Sequence, residues 1–318
     1  MAAIGVPNLK ATGVAEDVTR PKRWRDATLK DVPNDGVRFM FDLAFPWSYP
    51  GGDPATRPAA GNPSNGAIIY DMTEHANGRL DQIAASGGAL VTYAGGGFDY
   101  TGTENPLTGG AGTTASAKGV IIPASVLADI FAAYGGASQH YLLCMYVKLA
   151  SKANMDNTQA GLITIASDDA YNAAPSMINL GFQLGAVNVG RLQVRRQTGA
   201  GTVETSMTVK ADDGDFGTIC QIAAWRNAAG QGLRLRSLTS GLPAKTATAA
   251  LGPNNSQDFS AKSFAMGRTG AFSSNAGDMF NGFRLYRGFI ENLARSGRDP
   301  LAVLDADYAT VQARGDFA

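Results

Sequence analysis

The run His140-Tyr141-Leu142-Leu143-Cys144-Met145-Tyr146-Val147-Lys148-Leu149 is apolar at odd and even positions alike. Successive side chains of a strand point to opposite faces, so this run predicts a central strand covered above and below. Such a strand needs neighbours on both sides. Further strand-like segments lie at Val37–Phe45, Gly161–Ala166, Met177–Leu184, Arg191–Arg196, Glu204–Lys210, Phe216–Arg226, Gly232–Leu238, Ser263–Arg268 and Phe280–Arg287, with turn residues between them. The 39 glycines, 44% hydrophobic and 17% charged residues suit a β-rich globular body with many turns and not a disordered chain. At 318 residues the chain has the length of one large all-β domain.

The first 36 residues differ from the rest. They show no apolar periodicity and carry three prolines, six basic and five acidic residues, which predicts an extended arm with a reach of about 100 Å from a body whose radius of gyration is roughly 20 Å. Within it Arg20, Lys22, Arg23 and Arg25 surround Trp24. Cations on phosphates and an indole on a base would suit nucleic acid. The flanking acids Glu16, Asp17, Asp26 and Asp31 weaken that field, and an interface strip anchored by Arg and Trp is preferred. Residues 37–298 form the body. Residues 299–318 form a helix and tail, in which Asp299 caps, Pro300 opens the first turn, and Leu301, Leu304, Tyr308 and Val311 repeat at steps that pack on the sheet. A shorter helix is expected after Pro123, with Val126, Leu127, Ile130, Phe131 and Tyr134 on its inner side.

Few chemistries find their parts here. A net charge of zero and a pI near 6.7 give no bulk attraction to nucleic acid or anionic membranes. No secretory signal is seen at the start, and the longest apolar stretch, Val120–Tyr134, is broken by Pro123, Ser125 and Asp129. Cys144 and Cys220 sit in apolar runs and read as buried small hydrophobes. His75 and His140 are too few for a three-histidine zinc site, and neither G-x-S-x-G nor a phosphate-binding G-x-x-x-x-G-K-[ST] occurs. The triplet Arg314-Gly315-Asp316 is of a kind that arises by chance in about 5% of chains this long, and is set aside. The 18 arginines outnumber the nine lysines, and Arg191, Arg195, Arg234 and Arg236 alternate with apolar residues on two strands. Arginine is favoured at protein interfaces, so these four predict a docking surface.

The stretch SFAMGRTGAFSSNAGDMFNGFRLYRGFIENL (263–293) resembles the closing strands of the laminin G-like, concanavalin A-like jelly rolls. In the same order, Asp71–Gly78 resembles that family's D-x-S-G-x-x-N-G element with Thr73 and Glu74 in place of Ser-Gly, Gly97-Phe98-Asp99 its Gly-x-Phe-Asp-Gly strand, and Val120–Pro123 its hydrophobic-x-Ile-Pro edge strand. The resemblance implies an all-β, two-sheet antiparallel jelly-roll sandwich. Its glycosidases carry an E-x-D-x-x-E strand, which is absent, so a non-enzymatic role is expected. Some of its members bind Ca²⁺ through loop carboxylates. Asp212, Asp213 and Asp215, or Asp168 with Asp169, are the weak candidates for this, although Asp and Gly are also ordinary turn formers. No other cofactor is expected. In style the chain resembles virion structural proteins of tailed bacteriophages. That implies capsid decoration, cementing or a tail position, made in the host cytoplasm, with other virion proteins and copies of itself as partners and the arm as the contact. The alternative is a lectin-like module for host-surface glycans, binding through loops at one end of the sandwich.

Overall fold

The computed structural model describes residues 26–29, 32–49, 62–82, 90–102, 118–131, 139–155, 158–166, 177–183, 189–199, 202–239, 241–252, 258–269, 275–276 and 281–318. The strands in chain order are β1 (Val37–Asp42), β2 (Ile68–Ile69), β3 (Gly78–Gln82), β4 (Thr92–Ala94), β5 (Gly97–Asp99) and β6 (Lys118–Ile121). Helix α1 (Ala124–Phe131) follows, then β7 (Tyr141–Lys148), β8 (Thr158–Ala166), β9 (Met177–Phe182), β10 (Arg191–Gly199) and β11 (Thr202–Lys210). After these come β12 (Ile219–Asn227), β13 (Gly230–Ser237), β14 (Lys245–Ala249), β15 (Ser263–Thr269), β16 (Asn275–Ala276) and β17 (Arg284–Asn292). Helices α2 (Leu293–Ser296) and α3 (Pro300–Arg314) close the chain.

Two antiparallel sheets result. The first runs β14-β13-β12-β7-β17-β5-β4, with β1 sharing the far edge of β17 with β5. The second runs β11-β10-β9-β8-β15-β6-β3-β2. β7 lies between β12 and β17 and is buried from Tyr141 to Val147, as its two-faced apolar run requires. Leu143, Met145 and Val147 face the second sheet, where Ile163, Leu180, Leu192 and Met266 meet them. Each such side chain contributes about 1.5–3 kcal/mol. Cys144 and Cys220 are both buried and free, and they belong to opposite faces of the first sheet, which keeps them apart. This is an all-β, two-sheet antiparallel sandwich with a C-terminal helix.

Helix α1 closes one end. Val126, Leu127, Ile130 and Phe131 are buried, and the Phe131 ring lies 5.2 Å from Tyr141 and 6.0 Å from Phe259; Tyr134 lies outside the described residues. β6 is not the edge strand expected of it, because β15 and β3 flank it. Pro123 follows the last paired residue, Ile121, and so removes no ladder bond. Among the described residues no helix is long and apolar enough to cross a membrane.

The outer face of the first sheet is apolar too, through Leu142, Cys144, Ala223 and Phe289, and α3 covers it with Val303, Leu304, Tyr308 and Val311. Asp299 caps this helix, accepting from the Ala302 N–H at 2.8 Å. Leu301 departs from the expected inward row and is 37% exposed, because the first turn of α3 overhangs a cleft at the sheet rim and not the sheet itself.

A bulge organises this layer. Between Leu285 and Arg287 the register of β17 against β7 slips, so Leu285 faces the inter-sheet core while Tyr286 and Arg287 both turn outward. Arg287 is fully buried there. Its guanidinium reaches Asp26 at 2.6 Å, Asp307 at 2.6 Å, Asp42 at 3.1 Å and the Thr28 hydroxyl at 3.2 Å. Arg314 adds a second cation, 2.8 Å from Asp42, and the Tyr146 hydroxyl donates to Asp307 at 2.7 Å. Burial acts to raise the Asp26 pKa, but the adjacent Arg287 outweighs it and holds this carboxyl below its ordinary value.

Asp26 and Leu29 are therefore part of the body, 1% and 5% exposed. Residues 26–29, expected within the arm that ends at residue 36, are thus held on the body, since the partner that captures Asp26 is an arginine 261 residues away. Arg20, Lys22, Arg23, Trp24 and Arg25 lie outside the described residues. Asp26→Ala leaves a buried guanidinium short of a partner and is expected to lower stability at pH 7 by about 3–5 kcal/mol. The folded pKa of Asp26 is depressed, so its contribution is complete above the unfolded value near 3.9 and is lost as the pH falls through the folded one. Urea unfolding of wild type and variant should show a gap at pH 7 that narrows below about pH 4. A gap that holds constant down to pH 3 contradicts this account.

Candidate functional site

The β12–β13 hairpin turns on Asn227, whose side-chain oxygen accepts from the N–H groups of Ala229 at 3.0 Å and Gly230 at 3.1 Å. Just before it, Trp225 faces Gly232 on the neighbouring strand. A Cβ at position 232 would lie 1.9 Å from the indole, so glycine is what lets the ring lie across β13. Beside this ring the hairpin, β14 and the start of α3 enclose a cleft of about 410 Å³. Trp225 and Pro300 supply apolar surface, Leu301 the rim, and Asn227, Thr248 and Asp299 side-chain hydrogen-bonding groups, while Gln231 and Ala249 border the cleft from strand positions that alternate away from Trp225. The arrangement offers uncharged polar groups and one carboxylate around an apolar floor.

A second constellation has the look of a hydrolytic relay. His75 Nδ1 lies 2.6 Å from the Thr73 hydroxyl, and His75 Nε2 lies 2.5 Å from Asp35. A nucleophile must pass its proton to the imidazole and have room for an electrophile. Thr73 meets neither need: it donates to Asp71 at 2.6 Å and is 2% exposed. Asp71 is instead the lock of a turn, accepting from the N–H groups of Met40 at 3.0 Å, Thr73 at 2.9 Å and His75 at 2.9 Å. Burial raises its pKa against those hydrogen bonds. Glu74, where the resembling family has glycine, sits at φ 63° in the left-handed region.

The alternating arginines divide. Arg234 is 2% exposed and lies 2.5 Å from Asp305, which Arg236 also contacts at 3.0 Å while stacking 3.6 Å above the Tyr308 ring. Their docking partner is α3 of the same chain, which corrects the expectation of an open surface at these two positions. Arg191 and Arg195 are half-buried on the outer side of the second sheet. They share that side with Gln193, which donates to Ser206 at 2.8 Å. The three weak calcium candidates are each paired with a lysine. Lys245 places its ammonium 2.7 Å from Asp215 and 3.0 Å from Asp212, and Lys152 lies 2.6 Å from Asp213. A lysine already stands where the ion would. Among the described residues no group of three or more His, Cys, Asp or Glu side chains is placed to hold a metal, and Asp168 and Asp169 lie outside them.

No known protein family and no curated protein sequence matches this chain. Solved structures with a related course include the botulinum neurotoxin serotype D binding domain, 8% identical, TM-score 0.47, covering 87% of this chain and 51% of that one. Trypanosoma rangeli sialidase in complex with sialic acid is 10% identical with TM-score 0.41, covering 90% of this chain and 34% of that one. Domain 4 of a GH43 extracellular arabinanase from Geobacillus stearothermophilus, in complex with arabinotriose, is 13% identical with TM-score 0.43, covering 85% of this chain and 97% of that one. This chain thus spans about half the length of the neurotoxin binding domain it matches.

Lys245 compensates an Asp215 that is fully buried. Lys245→Met is expected to lower stability by about 3 kcal/mol, and millimolar Ca²⁺ should leave the melting temperature of the wild type unchanged. A calcium-dependent rise in melting temperature would return these aspartates to the list of metal ligands.

Proposed function

We propose that this chain is a non-catalytic glycan-binding module that takes a saccharide in the cleft beside Trp225. The carrying observation is the combination in that cleft of an indole and a proline with Asn227, Thr248 and Asp299. Apolar surface packs the C–H face of a sugar, and side-chain amides, hydroxyls and one carboxylate pair with its hydroxyl groups. The cleft opens at one end of the sandwich, where a ligand can approach without displacing α3. Asp299 is the one carboxylate among its lining residues, whereas glycoside hydrolysis ordinarily uses two, which favours binding without turnover.

A second reading is assembly into a bacteriophage virion through residues 1–25. It draws support from the sequence style and from Asp26, whose ion pair with Arg287 gives the preceding segment a fixed root on the body. Its partners are other virion proteins, and its place of action is the particle.

Screening the whole chain against an immobilised panel of neutral and acidic oligosaccharides tests the first reading. Thr248 is exposed on β14, so Thr248→Arg fills the cleft without disturbing the core. Retention of a saccharide by wild type and its loss in Thr248→Arg, at equal melting temperature, is the expected result. Absence of any retention, together with co-purification in an assembled particle, moves the assembly reading to first place.

A further inference from the structure

Of the residues lining the cleft beside Trp225, Asp299 alone is charged. One of its carboxylate oxygens accepts from the Ala302 N–H at 2.8 Å, and among the described residues no lysine, arginine or histidine forms an ion pair with it. The neighbouring cation, Arg298, is turned to Glu291, which accepts from its guanidinium at 2.8 and 2.6 Å. The start of a helix carries roughly half a positive elementary charge. That is less than the full charge of Asp299, so this wall of the cleft is negative on balance.

The uncharged groups add direction. Asn227 spends its side-chain oxygen on the Ala229 and Gly230 N–H groups, which leaves its Nδ2 hydrogens to donate. Thr248 stands opposite Gly232, the residue that the indole crosses, and its hydroxyl both donates and accepts. A ligand therefore meets a carboxylate on the side of α3 and amide and hydroxyl groups on the side of the hairpin and β14.

We infer that the saccharide this cleft takes is an amino sugar with a free amine, held as its ammonium ion against Asp299. The inference rests on the glycan-binding reading above and names the substrate class within it. An ammonium ion gives the second oxygen of Asp299 a charge-assisted hydrogen bond, roughly twice as strong as one from a neutral hydroxyl. N-acetylation of the amine removes that charge. An acidic sugar would set a second carboxylate against Asp299 with no cation lining the cleft to separate them, so acidic sugars are rejected.

Titration calorimetry of the full chain tests this at low ionic strength, where exposed charges are least screened. The probes are the glucosamine trimer, its N-acetylated counterpart and trilysine. The glucosamine trimer is expected to bind at least about tenfold more tightly than the N-acetylated one. Asp299→Asn removes the charge but keeps a side chain that caps a helix as well as aspartate does, so it should abolish that preference in a folded protein. Equal affinity of the two trimers, a preference that survives Asp299→Asn, or trilysine binding as tightly as the glucosamine trimer overturns the inference. Tighter binding of the N-acetylated trimer that is lost in Thr248→Arg also overturns it and leaves the glycan-binding reading in place. If neither trimer binds, the inference falls, and the glycan-binding reading falls with it only if the oligosaccharide panel is also not retained.

Discussion

Everything on the outer side of the first sheet depends on Arg287. A guanidinium cut off from water is unfavourable unless its charge is met, and here Asp26, Asp42 and Asp307 meet the charge and the two terminal nitrogens of Arg287 from three parts of the chain, while its Nε has no acceptor among the described residues. Three carboxylates against Arg287 and Arg314 leave an excess of negative charge. Hydroxyl donors offset it: Tyr146 and Thr28 both donate to Asp307, and Gln221 donates to Tyr146 at 2.8 Å. A network interlocked in this way is stiff, since removing one member leaves others short of a partner in a poorly screened interior.

That stiffness reaches the candidate sugar cleft. Asp307 lies in the middle of α3, and Pro300 and Leu301 at its start form one wall of the cleft beside Trp225. Clamping the helix at Asp307, with Arg234 and Arg236 on Asp305 as a second fastening, therefore sets the width of a site several residues away. The same covering helix removes the outer face of the first sheet from solvent. The cleft beside Trp225 lies at the rim of that covered face, by the β12–β13 hairpin.

Parts of this were legible in local pattern. The two-faced apolar run of β7, the burial of both cysteines and the row of Leu304, Tyr308 and Val311 each follow from a period of two or of three to four residues. β14 carries no strand signal in the sequence, since Lys-Thr-Ala-Thr-Ala has no large apolar residue, and it pairs along the edge of β13. The alternating arginines were seen, but their alternation cannot say whether solvent, a partner or the chain's own helix covers that side. The aspartates at 212, 213 and 215 read as acid-rich with equal ease. Only the distant Lys245, on Asp212 and Asp215, and Lys152, on Asp213, decide that they hold ammonium groups.

The cleft beside Trp225 had no signal along the chain, because it is lined from three separate segments, residues 225–231, 248–250 and 299–301. By itself, then, the sequence determined most of the longer strands, the final helix and the sandwich class, since these rest on side-chain periodicity and turn chemistry acting over a few residues. Only the tertiary structure decided which charges are buried against each other, where the body begins and where ligands can enter. Those outcomes depend on register, on one bulged residue beside Arg287 and on the approach of groups hundreds of residues apart, and no local pattern encodes such distances.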